Sequence, residues 1–157
     1  MSPGSLRGVF NAGSHVPISR LEGQFRGVSL GLWGWVESLA WKTFVKCFHR
    51  DPAGGEIRGW NMRIHQDGLE APVRPMLRGG EPIIFGHYVV VEVEGGVVLD
   101  YGLGRNPWYD PGQLVRDPLV ALDAEGDRLL GFTTVAVGSW RVPTPSYFML
   151  ERGEIAG

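Results

Sequence analysis

Short runs of β-branched and aromatic residues, separated by turn residues, occupy most of the chain from position 41 onwards. Runs of this kind at close intervals are typical of β-sandwiches and β-barrels. Glycine and proline lie between the runs rather than in one linker, and pairs such as Gly95-Gly96 suit tight reversals. The runs predict strands over residues 41–49, 56–65, 73–77, 82–94, 97–103, 114–123, 128–137 and 140–152.

The loops between these runs are too short for crossover connections, so consecutive strands are predicted to pair antiparallel. Closure of such a meander also removes the unpaired edge that an apolar run such as 88–93 would otherwise expose. We therefore predict an all-β fold, a small antiparallel closed β-barrel of about 8–10 strands. At most one short helix is expected, near residues 30–39, where apolar residues approximate a 3.6-residue spacing.

The turn at Gly95-Gly96 predicts the register of one hairpin. A two-residue loop there would place Val91 opposite Asp100. Asp100 would then be buried among valines, where its carboxylate needs a hydrogen-bond donor. The face that we expect to point into the barrel carries His87, Val89, Val91, Val93, Val98 and Asp100.

Composition places the chain among ordinary globular domains. Of its 157 residues, 43% are hydrophobic and 20% are charged, which is enough apolar material for one core and too little charge for disorder. We expect an N-terminal extension over residues 1–20 and a single barrel domain over residues 21–152. A net charge of −2 and scattered cations disfavour nucleic acid as a partner.

The sequence constrains the cellular location and the oligomeric state of the protein less than its fold. No apolar run is long enough for a signal peptide or a membrane-inserted helix, and the lone Cys47 excludes an internal disulfide. A cytoplasmic location without membrane insertion is therefore expected. A homodimer stays an open alternative, only because symmetric dimers are the commonest oligomers of soluble proteins.

Several short motifs are similar to those of one bacterial protein family. The segments are Gly23-Gln24-Phe25-Arg26-Gly27, Trp41, Lys46-Cys47-Phe48-His49, Tyr109-Asp110, residues 117–123, Leu130-Gly131 and residues 147–152. They resemble the family named for its Gly-x-Trp-x-Gly motif, together with the domain of unknown function that follows that motif. The resemblance covers residues 21–152.

The chain departs from that family at two points. Phe25 replaces the tryptophan of the signature, and Leu119 and Val120 follow Asp117 where the family usually shows an Asp-x-Phe-Arg pattern. The resemblance implies a calycin-like or lipocalin-like β-barrel, a fold used to hold hydrophobic ligands. It implies no reaction, because a fold does not determine function.

Motifs of high catalytic specificity do not occur in the sequence. There is no Gly-x-Ser-x-Gly elbow, phosphate loop, His-Glu-x-x-His or Cys-x-x-Cys, and the four histidines lack ligand spacing, so neither a metal nor another cofactor is predicted. A barrel enzyme of this kind would rely on shape and on isolated acid or base groups. The residues predicted to polarise a carbonyl or move a proton are Asp100, Tyr101 and His87.

Aromatic and methionine side chains are numerous enough to line a cavity as well as a core. Rings give rigid walls with a polar tip, and methionine adapts to irregular pockets. The residues predicted to contact a ligand are Trp41, Trp60, Met62, Val91, Trp108, Tyr147 and Met149. The loop over residues 102–112 could cover the barrel mouth or be a passive connection.

These features favour a small-molecule enzyme of specialised metabolism. In this interpretation the barrel folds a hydrophobic, polyketide-like or polyene-like substrate for cyclisation or isomerisation without a cofactor. A second interpretation is a non-catalytic carrier for a hydrophobic molecule such as a fatty acid or haem. A third is an interaction module with a filled barrel.

Overall fold

A computed structural model describes residues 3–30, 43–68, 71–94 and 96–153. Its elements are α1 (Pro3–Asn11), β1 (Gly23–Leu30), β2 (Thr43–Arg50), β3 (Ile57–Met62), β4 (Leu77–Arg78), β5 (Glu81–Pro82), β6 (Ile84–Val93), β7 (Gly96–Asp100), β8 (Val115–Ala121), β9 (Arg128–Val137) and β10 (Trp140–Arg152). Short 3-10 turns occupy Ile18–Arg20, Tyr101–Leu103 and Pro111–Leu114. No helix in this described part has the length and apolar character that a membrane crossing requires.

Eight of the strands close into an antiparallel barrel in the order β1-β10-β9-β8-β7-β6-β3-β2, and β2 pairs with β1 again. The two short strands β4 and β5 form a separate hairpin. The all-β closed barrel predicted from the spacing of the strands is confirmed. Two strands, β9 and β10, begin and end where the sequence pattern predicts.

Large apolar side chains fill the middle and one end of the barrel. Those that the strand register directs inward include Phe25, Phe48, Tyr88, Val90, Leu99, Leu119, Leu129 and Leu150, each less than a tenth exposed. Val16 and Leu21, which precede β1, join the same cluster with 1% exposure each. Since a small barrel has room only for side chains or one small ligand, little space is left for a ligand at this end.

Gly59 allows the Tyr88 side chain to lie across β3 inside the barrel and to reach β2. The hydroxyl of Tyr88, on β6, donates to the backbone oxygen of Cys47 on β2 at 2.8 Å, and Gly59 on β3 lies between them. A Cβ at position 59 would overlap the Cys47 oxygen and lie 2.6 Å from the Tyr88 hydroxyl. Only glycine fits this approach without a shift of the backbone.

The hairpin between β6 and β7 corrects two predictions. Val93 pairs with Gly96 and Val89 with Asp100, so the register is two residues away from the predicted one. The inward face carries Tyr88, Val90, Val97 and Leu99, which is the opposite of the predicted face. The outward-facing Val89 and Val98 are also buried, at 4% and 3%, so the number of valines cannot distinguish the two faces.

Other predictions are wrong or fall outside the described residues. The helix predicted near residues 30–39 falls on 31–39, which are not described, and Leu30 ends β1. The described α-helix is α1, where Leu6 and Phe10 lie four residues apart and pack against the outside of the barrel. The run 73–77 supplies only Leu77 to a strand, because this segment crosses the outer surface; Pro75 makes an isolated bridge to Ile64.

We expect Gly59→Ala to lower the free energy of unfolding by at least about 2 kcal/mol, because the contacted carbonyl belongs to the neighbouring strand and cannot rotate away. The matched control is Gly54→Ala, whose Cβ would meet nothing closer than 3.9 Å and should change stability by less than about 0.5 kcal/mol. Urea unfolding of the two variants measures both. Equal stabilities would contradict the close approach at Gly59.

Candidate functional site

A cavity of about 250 Å³ opens at the end of the barrel opposite Val16 and Leu21. Every strand of the barrel contributes to its wall, directly or through the residue that follows the strand. The residues that line it are Ser29, Phe44, Lys46, Asn61, Phe85, Tyr101, Asp117, Thr133, Ser146 and Phe148. We call it the mouth cavity; its wall combines three phenylalanine rings with a cation, a carboxylate, an amide and hydroxyls.

Lys46 points into the barrel from the middle of β2, between the inward-facing Phe44 and Phe48. It is 2% exposed. Its ammonium donates to the side-chain oxygen of Asn61 at 2.8 Å and to the hydroxyl of Tyr101 at 2.6 Å. Among the described residues, no carboxylate lies within 4.0 Å of this nitrogen.

Four aromatic rings surround the Lys46 nitrogen. The ring centroids of Tyr88, Phe148, Tyr101 and Phe44 lie 4.9, 5.2, 5.3 and 5.6 Å from it. The faces of the Tyr88, Phe148 and Phe44 rings attract a cation at such distances, whereas Tyr101 contacts the nitrogen with its hydroxyl, and rings replace water poorly. Burial therefore lowers the pKa of Lys46 from 10.5 to about 8, although the charge of Asp117 acts in the opposite direction.

Asp117 is the carboxylate of the mouth cavity. It lies on β8, 3% exposed, and its Oδ1 has no hydrogen-bond partner. Burial raises the pKa of Asp117 from 3.8 to about 6, while the charge of Lys46 and hydrogen bonding from Tyr101 and Thr133 limit the rise. A carboxyl group that titrates near neutrality, on a residue that lines a cavity, can accept or donate a proton.

Tyr101 connects the two charged groups. Its hydroxyl accepts from Lys46 and is also within 3.4 Å of the Asn61 amide nitrogen, which donates to Gly86 O at 3.1 Å. Burial and the negative charge of Asp117 raise the pKa of Tyr101 well above 10, so the phenol keeps its proton. It can donate that proton towards Asp117 while it accepts from Lys46.

Asp100 holds the turn that places Tyr101 in the barrel. Its carboxylate accepts from the backbone nitrogens of Gly102 at 2.9 Å and Leu103 at 3.3 Å, and it pairs with Arg116 at 3.0 Å. The Asn106 amide also supports this turn by donating to the backbone carbonyl oxygen of Tyr101 at 2.9 Å. Asp100 itself faces away from the mouth cavity, so its contacts are those of a positioning residue.

Tyr101 is the predicted site residue that lines the mouth cavity. His87 lies on the outer face, where its backbone nitrogen donates to Asn106, and where burial and the charge of Arg105 lower its pKa. Trp60 is also on the outer face, with its ring 5.1 Å from His49 and 6.4 Å from His87. Of the three residues predicted to be catalytic, Tyr101 lines the mouth cavity, whereas Asp100 and His87 do not.

The remaining residues predicted to contact ligand lie elsewhere. Met62 belongs to an outer cluster with Val45, Cys47 and Ile64, and Tyr147 packs with Leu6 and Leu130 beneath α1. Val91 and Met149 are half-buried outside the barrel, and Trp108 is 89% exposed in the loop over 102–112. Trp41 lies outside the described residues.

Lys46, Asn61, Asp117 and Thr133 were not predicted as site residues. A signal for two of them is present in the strand pattern. Lys46 alternates with Phe44 and Phe48 along one run, and Asp117 alternates with Leu119 along another, so each charge shares a face with apolar residues. The sequence motifs that resemble the Gly-x-Trp-x-Gly family include both positions. Whether the strand face that carries them points into the barrel follows only from the closure of the barrel.

Two larger depressions lie on the outside of the barrel, one of about 350 Å³ beside α1 and one of about 310 Å³ around Trp60 and His87. The charged side chains around them are all at least partly exposed. In the described part of the chain, no three His, Cys, Asp or Glu side chains are arranged to hold a metal ion. The mouth cavity is the better candidate because it holds two buried, opposite charges.

No protein-family model matches the chain, and no curated protein sequence matches it either. The similarity to the Gly-x-Trp-x-Gly family thus rests on the short motifs alone. The closed eight-stranded antiparallel barrel is compatible with the calycin-like fold that the similarity implies.

We expect the buried carboxyl group to make folding less favourable as pH rises. The folded-state pKa of Asp117 lies above its unfolded value, so the folded protein binds the proton more tightly and loses stability between about pH 4 and pH 6. The loss is on the order of 2–3 kcal/mol. Asp117→Asn should abolish it.

Urea unfolding of both proteins at pH 4 and pH 6.5 tests this prediction. Subtracting the free energies of unfolding of the two proteins at each pH removes the contribution of His87, whose lowered pKa also changes stability in part of this pH range. The carboxylates Asp51, Asp67 and Asp127, which are at least partly exposed, have lowered pKa values, and their contributions to stability are lost below this pH range. An identical pH dependence in both proteins would contradict the raised pKa of Asp117.

Proposed function

We propose that the chain is a cofactor-independent isomerase or cyclase that moves a proton beside a carbonyl group of a small, largely apolar substrate. The substrate would bind in the mouth cavity. The observation that supports this proposal best is the convergence of two buried, oppositely charged side chains, Lys46 and Asp117, on one open cavity with aromatic walls. Burial of both charges opposes folding, a cost that is characteristic of reactive sites.

Asp117 would act as the base and later as the acid. Its carboxylate can accept a proton from a carbon next to the substrate carbonyl, and the same carboxyl group can return the proton to a different carbon. The negative charge that develops on the carbonyl oxygen would be stabilised by the positive charge of Lys46 and by the Tyr101 hydroxyl. Such groups act strongly because water is largely excluded around them.

The dimensions of the site narrow the substrate class. About 250 Å³ is below the usual range of roughly 300–1,000 Å³ for drug-sized ligands, and the core beneath the cavity is filled. The rings of Phe44, Phe85 and Phe148 would contact an apolar body, while the carbonyl would reach Lys46 and Tyr101. This arrangement favours a compact cyclic or branched carbonyl compound over an extended polyene, a fatty acid or haem.

Deuterium exchange tests the proton-transfer step directly, because it needs only a carbonyl compound with exchangeable α-hydrogens. We expect the protein to catalyse exchange of the α-hydrogens of cyclohexanone or acetylacetone in deuterated water, followed by proton nuclear magnetic resonance. Asp117→Asn should reduce the exchange by at least about 100-fold, as loss of a general base does. Asp67→Asn, a change at an exposed carboxylate paired with Arg74, is the matched control and should leave the rate unchanged.

The outcomes separate the interpretations. Exchange that is equal in the wild type and in Asp117→Asn would contradict the proposed role of the carboxylate. Binding of the probes without any exchange would favour the non-catalytic carrier instead.

The pH dependence of this exchange should follow the ionisation of Asp117. The carboxylate is the active form of the base, so the catalysed rate should rise with pH and reach half its plateau near pH 6. A carboxyl group with the ordinary pKa would place that midpoint near pH 4. Rates corrected for buffer-catalysed exchange between pH 4 and pH 7.5 distinguish these two values.

A further inference from the structure

We propose that Lys46 bonds covalently to the substrate, by condensation of its amine with a ketone or aldehyde to form an imine in the mouth cavity. This inference rests on the proposed function and deepens it, since it names the chemical class of the substrate and the atom to which it becomes attached. The surroundings of the Lys46 nitrogen support it in three ways.

The first point is that the hydrogen-bond partners of Lys46 tolerate a neutral amine. Asn61 offers an amide oxygen at 2.8 Å, which accepts from an amine as well as from an ammonium. Tyr101, at 2.6 Å, carries a hydroxyl that can reverse its role and donate to the lone pair of the nitrogen. Loss of the proton therefore leaves neither partner unsatisfied.

The second point is the distance between the amine and a carboxylate. A lysine that is buried for structural reasons is usually paired directly with an acid, because an isolated buried charge is costly. Among the described residues no such direct pair involves Lys46. Asp117 acts on it through space and Tyr101 lies between them, so no direct ion pair has to break before the amine reacts.

The third point is the supply of reactive amine at neutral pH. Burial among four rings lowers the pKa of Lys46 to about 8, so Lys46 carries a neutral amine in roughly a tenth of the molecules at pH 7. An ordinary lysine, with a pKa near 10.4, would be neutral in less than about a thousandth of molecules at that pH. Desolvation in an apolar pocket is a recognised way to activate a lysine nucleophile.

The proposed step is balanced without a cofactor. The neutral Lys46 nitrogen attacks the carbonyl carbon, a carbon–nitrogen bond forms as the carbonyl π bond breaks, and a proton passes from that nitrogen to the carbonyl oxygen to give a carbinolamine. The carboxyl group of Asp117, acting directly or through Tyr101, donates the proton with which the hydroxyl departs as water. The protonated imine withdraws electrons more strongly than a hydrogen-bonded carbonyl, so the Asp117 carboxylate can remove the neighbouring proton to leave an enamine. The same carboxyl group then returns the proton to a different carbon, which restores a protonated imine. Water reverses the condensation and releases the product.

The composition of the chain makes this proposal easy to test. Of its fifteen cationic Lys and Arg side chains, only Lys42 and Lys46 are lysines. Apart from the N-terminal amine, an imine therefore has two possible attachment sites. Lys42→Arg removes the competing one and leaves Lys46 in place.

The experiment incubates the whole protein with cyclohexanone and sodium cyanoborohydride, which reduces an imine to a stable amine. We expect intact-protein mass spectrometry to show one added probe less one oxygen atom, and peptide mapping to place it on Lys46. Lys42→Arg should retain the adduct, whereas Lys46→Met should lose it. Tyr101→Phe, which keeps the lysine, should form the adduct at least about 10-fold more slowly, and circular dichroism checks that each variant is folded.

A pH series adds a readout that chance labelling would not give. The initial labelling rate of Lys42→Arg should rise with a midpoint near pH 8, as the Lys46 amine loses its proton. Labelling confined to the N-terminal amine or to Lys42, or a rate that is still rising steeply at pH 10, would overturn the covalent step.

The two proposals fail in different ways. Deuterium exchange that depends on Asp117 without an adduct on Lys46 would leave the proton-transfer function intact and reduce Lys46 to a source of positive charge. Absence of both exchange and adduct would contradict the proposed function itself.

Discussion

The site depends on one physical constraint, which is that a lysine ammonium and a carboxylate are held away from water without touching each other. Lys46 has only an amide oxygen, a phenol and four rings around it, and Asp117 keeps one oxygen unpartnered. Each group is therefore displaced towards its neutral form, and each retains some of its charge because of the other. Both titrations consequently lie close to neutrality, where proton transfer is most effective.

The barrel supplies this constraint through the asymmetry of its two ends. At one end Val16 and Leu21 complete a core that continues past Phe25 and Phe48. At the other end polar side chains stand among aromatic ones at the inward positions of the strands, and a cavity of about 250 Å³ remains. The turn capped by Asp100 adds Tyr101 to this end from beyond β7. The same scaffold thus provides stability at one end and chemistry at the other.

The sequence predicts the barrel well because alternation and turn residues are local signals. The bounds of β9 and β10 follow directly from the pattern, whereas β1 was not predicted as a strand, since its two glycines and its arginine dilute the apolar signal. The helix α1 was missed for a similar reason, because only Leu6 and Phe10 mark its buried face. Such short amphipathic segments become recognisable only against the surface that they cover.

The site was harder to predict because it depends on which face of each strand points inward. Both faces of the β6–β7 hairpin are apolar, so Asp100 was expected inside, although it faces outward and pairs with Arg116. Tyr101, which the sequence predicts to polarise a carbonyl or move a proton, lines the mouth cavity. Its partners Lys46 and Asp117 are 71 positions apart in the sequence, and closure of the barrel is what brings them together.

The chemistry of the mouth cavity depends most on the lowered pKa of Lys46. Protein labelled with carbon-13 lysine gives side-chain signals from two residues only, and Lys42→Arg identifies which one belongs to Lys46. We expect the Lys46 Cε signal to shift with a midpoint near pH 8. A midpoint above pH 10 for that signal, as in a solvated lysine, would contradict it.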